Sequence, residues 1–85
     1  MTPEFRDYRR LSKAIVRTAL KDFRQAARSH RRGKRRSESE STMREVAHFI
    51  RSDWFGVLTE ADPDWVLEQL QAEFPEIDMG GIIDD

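Results

Sequence analysis

The sequence predicts an all-α fold: a small three-helix bundle whose N-terminal helix is long, basic and amphipathic. Two observations lead to this prediction. Apolar residues recur every three or four positions in three segments, and a helix-start signal precedes each segment. Eighty-five residues without cysteine leave room for one small domain. We place this domain at residues 1–74 and expect an acidic, flexible tail at 75–85.

The first predicted helix covers residues 3–32. Thr2 is a candidate N-cap and Pro3 suits the first helical position, while Gly33 is the first residue that favours a stop. Its apolar residues share one side at helical spacing: Phe5, Tyr8, Leu11, Ile15, Ala19, Phe23 and Ala26. Two short helices leave part of so wide an apolar face uncovered, and a homodimer through the long helix is therefore a further expectation.

A linker is predicted at residues 33–41. A basic run over residues 30–36 meets a Ser/Glu run over residues 37–41, and neither carries a helical apolar pattern. Seven basic residues lie within nine positions around the end of the first helix, more than a helix terminus needs for its dipole. We therefore expect the basic run to form a flexible arm.

The second and third helices are predicted at residues 42–55 and 63–74. Thr42 with Glu45 matches a capping box, and Asp62 followed by Pro63 is a strong N-terminal signal. Trp65 lies off the apolar face, so we expect it to cover the preceding turn, with an exposed anchor as the alternative. The predicted core consists of Leu11, Ile15, Ala19, Phe23, Val46, Ile50, Trp54, Leu58, Val66, Leu70 and Phe74.

The tail over residues 75–85 has too little apolar periodicity to predict structure. Two alternatives to flexibility stay open. Ile82 and Ile83 dock on the bundle in one, and the acidic tail folds against the basic helix in the other.

Charge is divided unevenly along the chain. Residues 1–36 hold 13 basic and three acidic residues, a net of +10, whereas residues 37–85 hold two basic and 13 acidic residues, a net of −11. Such asymmetry indicates a polyanion, a membrane surface or an acidic protein as the partner of the basic half.

Within the first helix, the cations fall in register. Eight of them lie within an arc of about 80° at 100° per residue, opposite the centre of the apolar residues. We call this set the basic stripe: Arg6, Arg10, Lys13, Arg17, Lys21, Arg24, Arg28 and Arg31. Further cations, Arg32, Lys34, Arg35 and Arg36, continue it beyond the helix. A merely solvated face is the alternative, but such faces usually mix signs, since neighbouring like charges destabilise a helix.

Several function classes are not expected. No apolar run approaches the roughly 20 residues of a membrane span, and no signal-peptide pattern is visible, so we expect a soluble cytoplasmic protein without membrane partners. The absence of cysteine and the wide spacing of the two histidines argue against a metal, and no cofactor motif occurs. Catalysis is unexpected, because Glu60, Asp62 and Asp64 are explained by helix capping rather than by paired acid/base chemistry.

One segment resembles a known group. The run Phe49–Phe55 (FIRSDWF), followed by Val57–Thr59, Asp62 and Trp65–Leu67, resembles short helical proteins of unassigned function encoded by bacterial prophages and integrative elements. The resemblance covers residues 43–70 at most and implies a mobile-element context without a catalytic site. Such a context implies either an accessory nucleic-acid-binding protein or a small inhibitor of a host enzyme.

Two functions therefore remain open. In the first, a small non-enzymatic protein contacts the phosphate backbone of nucleic acid through the basic stripe and arm. In the second, a protein-interaction module inhibits a host defence enzyme, using the stripe on an acidic surface or the acidic half as a DNA-like decoy.

Overall fold

Five helices make up the part of the chain that the computed structural model describes, which is the backbone of residues 5–83 with side chains from 10 to 82. They are α1 (Phe5–Arg31), α2 (Arg36–Ile50), α3 (Asp53–Leu58), α4 (Pro63–Glu73) and α5 (Met79–Ile83). No strand occurs in this part, so the all-α prediction is confirmed. The three longer helices correspond to the three predicted ones, and the expected cap at Thr2 and Pro3 lies outside the described residues.

Helix α1 ends where the sequence predicts. Gly33 has a positive φ of 75°, and its N–H donates to the carbonyl of His30 at 3.0 Å. The N–H of Lys34 donates to the carbonyl of Ser29 at 3.0 Å. These two bonds around a left-handed glycine form a Schellman motif, which satisfies carbonyls at the helix end.

The predicted linker at 33–41 is wrong beyond its first three residues, because α2 already begins at Arg36. Ser39 is buried and its Oγ donates to the carbonyl of Lys34 at 3.5 Å, and the carboxylate of Glu40 lies 3.0 Å from Nε2 of His30 in α1. The short turn brings the Ser/Glu run directly against α1, and this packing overrides a weak helix propensity. Thr42 is consequently an interior residue of α2 rather than its cap.

Helices α1 and α2 form a hairpin of unequal arms. At 1.5 Å per residue the 27 residues of α1 extend about 40 Å and the 15 residues of α2 about 22 Å. Ala27 and Ala47 are both fully buried, since small side chains allow the two helices to approach closely. The N-terminal half of α1 therefore extends past α2.

The buried face of α1 differs from the predicted one. Leu11 is 60% exposed and Ile15 39% exposed, whereas Ser12 is buried and Val16 half-buried. On the helical wheel this turns the packed face by about 50° towards the basic stripe. Leu11 and Ile15 are thus wrongly predicted as core, because this part of α1 packs through the face that carries Ser12 and Val16.

The second predicted helix is two helices in the structure. Helix α2 ends at Ile50, the N–H and Oγ of Ser52 both donate to the carbonyl of Phe49, and α3 starts a new direction at Asp53. This break buries Phe55 against Phe49, with ring centroids 5.8 Å apart in an edge-to-face arrangement. It also leaves Trp54 63% exposed, so the prediction of Trp54 as a core residue is wrong.

Helix α4 matches its predicted start. The N–H of Asp64 donates to Oδ1 of Asp62 at 3.0 Å, and Pro63 occupies the first turn. Trp65 is 56% exposed, so it does not cover the preceding turn, and the alternative of an exposed side chain holds.

The tail is packed rather than flexible up to residue 83. Ile77 and Met79 are buried, and Asp78 accepts the N–H of Gly81 at 3.1 Å as the N-cap of α5. The side chain of Arg44 in α2 donates to the carbonyl of Ile82 at 3.0 Å, and the side chain of Ile82 packs against the core. The tail thus contributes to the core, which consists of Phe23, Ala26, Ala27, Met43, Val46, Ala47, Ile50, Phe55, Val66, Leu70, Phe74, Ile77 and Met79.

Candidate functional site: a basic stripe beside an apolar groove

The basic stripe lies along α1, and most of its side chains point to solvent. Arg10, Lys13, Arg17, Lys21, Arg28 and Arg31 are exposed, and Arg24 is half-buried. The backbone of Arg6 belongs to the same helix, but its side chain lies outside the described part. Because the packed face of α1 is turned towards the stripe, the stripe borders the core instead of lying opposite it.

Two cations of the stripe are engaged by the acidic half. Nε and Nη2 of Arg24 donate to the two carboxylate oxygens of Glu73 at 2.9 and 3.2 Å, a bidentate pair at the end of α4. Nη1 of Arg31 lies 3.5 Å from Glu76, and its guanidinium lies 6.0 Å from the ring centroid of Phe74. The C-terminal part of the stripe thus helps to hold the segment that follows α4.

Four other cations of the stripe have no such partner among the described side chains. Lys13, Arg17 and Lys21 form no ion pair with any side chain that the structure describes, and neither does Arg28. The first three follow each other at i,i+4 spacing and extend over about 12 Å of helix. Their positive field is therefore open to solvent, and the fold does not use these charges.

The remaining predicted site residues form the turn between α1 and α2. This basic turn consists of Arg32, Lys34, Arg35 and Arg36, all of them exposed. Arg35 adopts a left-handed φ of 46°, and its guanidinium lies 3.8 Å from Glu38, a pair so exposed that it stabilises little. The prediction of a flexible arm is corrected, because the Schellman motif and the start of α2 give this segment a defined turn.

A groove adjoins the unpaired cations. It has a volume of about 270 Å³ and lies between the middle of α1 and the end of α3. Three apolar side chains and one hydroxyl line it together with two cations of the stripe: Val16, Leu20, Leu58, Thr59, Lys13 and Arg17. The groove therefore combines an apolar wall with positive charge at its rim.

An exposed tryptophan lies one helical turn from this groove. Trp54 precedes Leu58 by four residues in α3, and residues at i,i+4 are neighbours on one helix face, with Cβ atoms about 6 Å apart. Sequence reasoning missed both the groove and this tryptophan, because it continued α2 through residue 55 and so directed Trp54 into the core. The serine before the aspartate at 52–53 is the signal for a new helix start that the sequence does contain.

Other kinds of site are not found in the described residues. No group of three or more His, Asp or Glu side chains is placed there to hold a metal ion. None of the described helices is both long and apolar enough to cross a membrane.

Comparison of the chain with protein-family models, with curated proteins and with solved structures gave no match.

Proposed function

We propose that this chain is a non-enzymatic nucleic-acid-binding protein that contacts the phosphate backbone through the basic stripe and the basic turn. The observation that carries the proposal is the row of Lys13, Arg17 and Lys21, exposed on one face of α1 and without an acidic partner among the described side chains. Phosphate groups are the ligands that such a row of cations suits best, since binding releases the counterions condensed on the nucleic acid.

A solvated surface explains this row less well. Like charges at i,i+4 cost a helix a few tenths of a kcal/mol each, and no Glu or Asp on the same face offsets them here. The fold uses other cations for its own contacts, as in the pair of Arg24 with Glu73. A row that costs stability and forms no ion pair with the described side chains is typical of a binding surface.

The experiment compares two variants that remove equal charge. One replaces Lys13, Arg17 and Lys21 by Gln, and the other replaces Arg32, Lys34 and Arg36 by Gln. Binding to a fluorescent oligonucleotide is measured by anisotropy while the salt concentration is raised from about 50 to 200 mM. All six side chains are exposed, so both variants should keep the circular dichroism of the parent protein.

We expect log Kd of the parent protein to rise steeply with log salt concentration. Each phosphate contact contributes about 0.9 to this slope on duplex DNA. Because the variant in the stripe removes three cations, its slope should be lower by up to about 2.7. The variant in the basic turn tells whether the turn shares in binding. A flat slope in the parent protein would contradict the proposal.

Binding to an acidic protein surface is the competing outcome. It predicts that neither DNA nor RNA binds at low salt, while the same cations of the stripe are needed for a protein partner.

A further inference from the structure

The groove and Trp54 point to the form of nucleic acid that the stripe binds. We infer that the ligand is a single strand, with phosphates on Lys13 and Arg17 and a base stacked on Trp54 beside the groove. The inference rests on the proposed function, because it needs a nucleic acid on the basic stripe. It adds which bases are accessible, and which side chain contacts them.

Two cations of the basic stripe lie in the wall of the groove. Lys13 and Arg17 belong to the stripe and also line the groove, where Val16, Leu20 and Leu58 provide the apolar wall. A chain whose phosphates lie on these two cations is held directly beside this wall. One surface therefore offers a charged contact and an apolar contact to the same ligand.

Trp54 is an exposed aromatic side chain in α3. Its side chain is 63% exposed and lies one helical turn from Leu58, whose own side chain lines the groove. A tryptophan this exposed contributes little to the core. Aromatic rings beside a positive groove are the stacking platforms of proteins that bind single strands.

Single strands and duplexes differ in how accessible the faces of their bases are. In a duplex an α-helix reaches phosphates and base edges, but the faces of the bases are stacked on one another and are not free to stack on a protein side chain. In a single strand a base is free to turn away from its neighbours and to stack on an aromatic ring. The apolar wall and Trp54 would contribute to single-strand binding and leave duplex binding unchanged.

The test uses the two tryptophans of the chain as a matched pair. Neither tryptophan lines the groove, but Trp54 lies one turn from Leu58 in α3, whereas Trp65 is 56% exposed in the first turn of α4. Trp65→Ala is therefore the control for Trp54→Ala. The probes are an oligothymidylate of about 12 nucleotides and a duplex of the same length. We expect Trp54→Ala to weaken oligothymidylate binding by about 5- to 150-fold, and Trp65→Ala to leave it within about twofold.

Fluorescence gives a second, independent readout. The variant Trp65→Phe keeps Trp54 as the one tryptophan, and Trp54→Phe keeps Trp65. Stacking of a base on the indole ring quenches its emission, so oligothymidylate should quench the first variant and leave the second nearly unchanged. Both changes are at exposed positions, so neither is expected to unfold the protein.

The outcomes separate this inference from the proposed function. Equal losses in Trp54→Ala and Trp65→Ala, or tighter binding of the duplex than of oligothymidylate, would overturn single-strand binding while a steep salt dependence still upheld the basic stripe. Failure of both probes to bind at low salt would overturn the two together.

Discussion

The side chain of Gln71 is expected to hold the segment after α4 in place. Its Nε2 donates to the carbonyls of Phe74 and Ile77 at 3.0 and 2.7 Å, and its Oε1 accepts the N–H of Met79 at 3.3 Å. Three bonds from one amide fix the chain from the end of α4 to the start of α5. We therefore predict that Gln71→Ala destabilises the protein and loosens the segment after α4.

The magnitude follows from these three bonds. Each backbone group keeps a second partner, because the N–H of Ile77 bonds to Phe74 and the N–H of Met79 bonds to Ile77. No backbone group is therefore orphaned, and the loss is about 1 kcal/mol for each of the two shorter bonds and less for the third. The expected total is about 2–3 kcal/mol, which lowers the Tm of so small a domain by about 10–20 °C.

Gln69→Ala is the matched control, since Gln69 lies exposed on the same helix and should change stability by less than about 0.5 kcal/mol. Urea unfolding followed by circular dichroism gives the free energy of unfolding, and hydrogen exchange gives the protection of the amides in α5. Equal stability of the two variants, with unchanged exchange in α5, would refute the role of Gln71.

Two further predictions concern α3 and the glycine that ends α1. Phe55 is 1% exposed, so Phe55→Ala should cost about 3–5 kcal/mol in urea unfolding, whereas Val57→Ala in the same short helix should cost little; similar losses would contradict the burial assigned to α3. Gly33 and Gly56 both have space for a Cβ atom, but only Gly33 has a positive φ. Thermal melts should therefore show Gly33→Ala destabilising by about 1–2 kcal/mol and Gly56→Ala stabilising by about 0.5–1 kcal/mol, and the same sign for both would contradict the Schellman motif.

Elements that depend on local chemistry could be predicted from the sequence. The end of α1 follows from the freedom of Gly33 to adopt a positive φ, and the start of α4 follows from a capping aspartate before a proline. Both signals act within a few residues of the backbone groups that they satisfy. Their positions in the structure accordingly agree with the prediction within about a residue.

Elements that depend on distant contacts could not be predicted. The Ser/Glu run becomes helical where Glu40 meets His30 of α1, and the tail is packed where Gln71 binds its backbone. Neither contact leaves a periodic pattern in the sequence, because each depends on individual polar side chains rather than on a repeated set of apolar residues. The predicted linker and the predicted flexible tail both fail for this reason.

The face of α1 that is buried is the most consequential feature that apolar periodicity could not predict. The apolar residues of α1 cover so wide an arc that several buried faces fit them, and packing against α2 and α3 decides among these faces. The chosen face buries Val16 in part and exposes Leu11. This choice turns the core towards the basic stripe and so creates the groove beside Lys13 and Arg17.

The division of charge along the chain consequently has two separate roles. At the C-terminal end of α1, Arg24 and Arg31 meet Glu73 and Glu76, so opposite charges from the two halves join within the fold. In the middle of α1, the end of α3 approaches the stripe with the uncharged Leu58 and Thr59, and no acidic side chain in the described part of the chain forms an ion pair with Lys13 or Arg17. The surface proposed to bind an anion therefore comprises the basic turn and the part of the stripe that forms no ion pair with the acidic half.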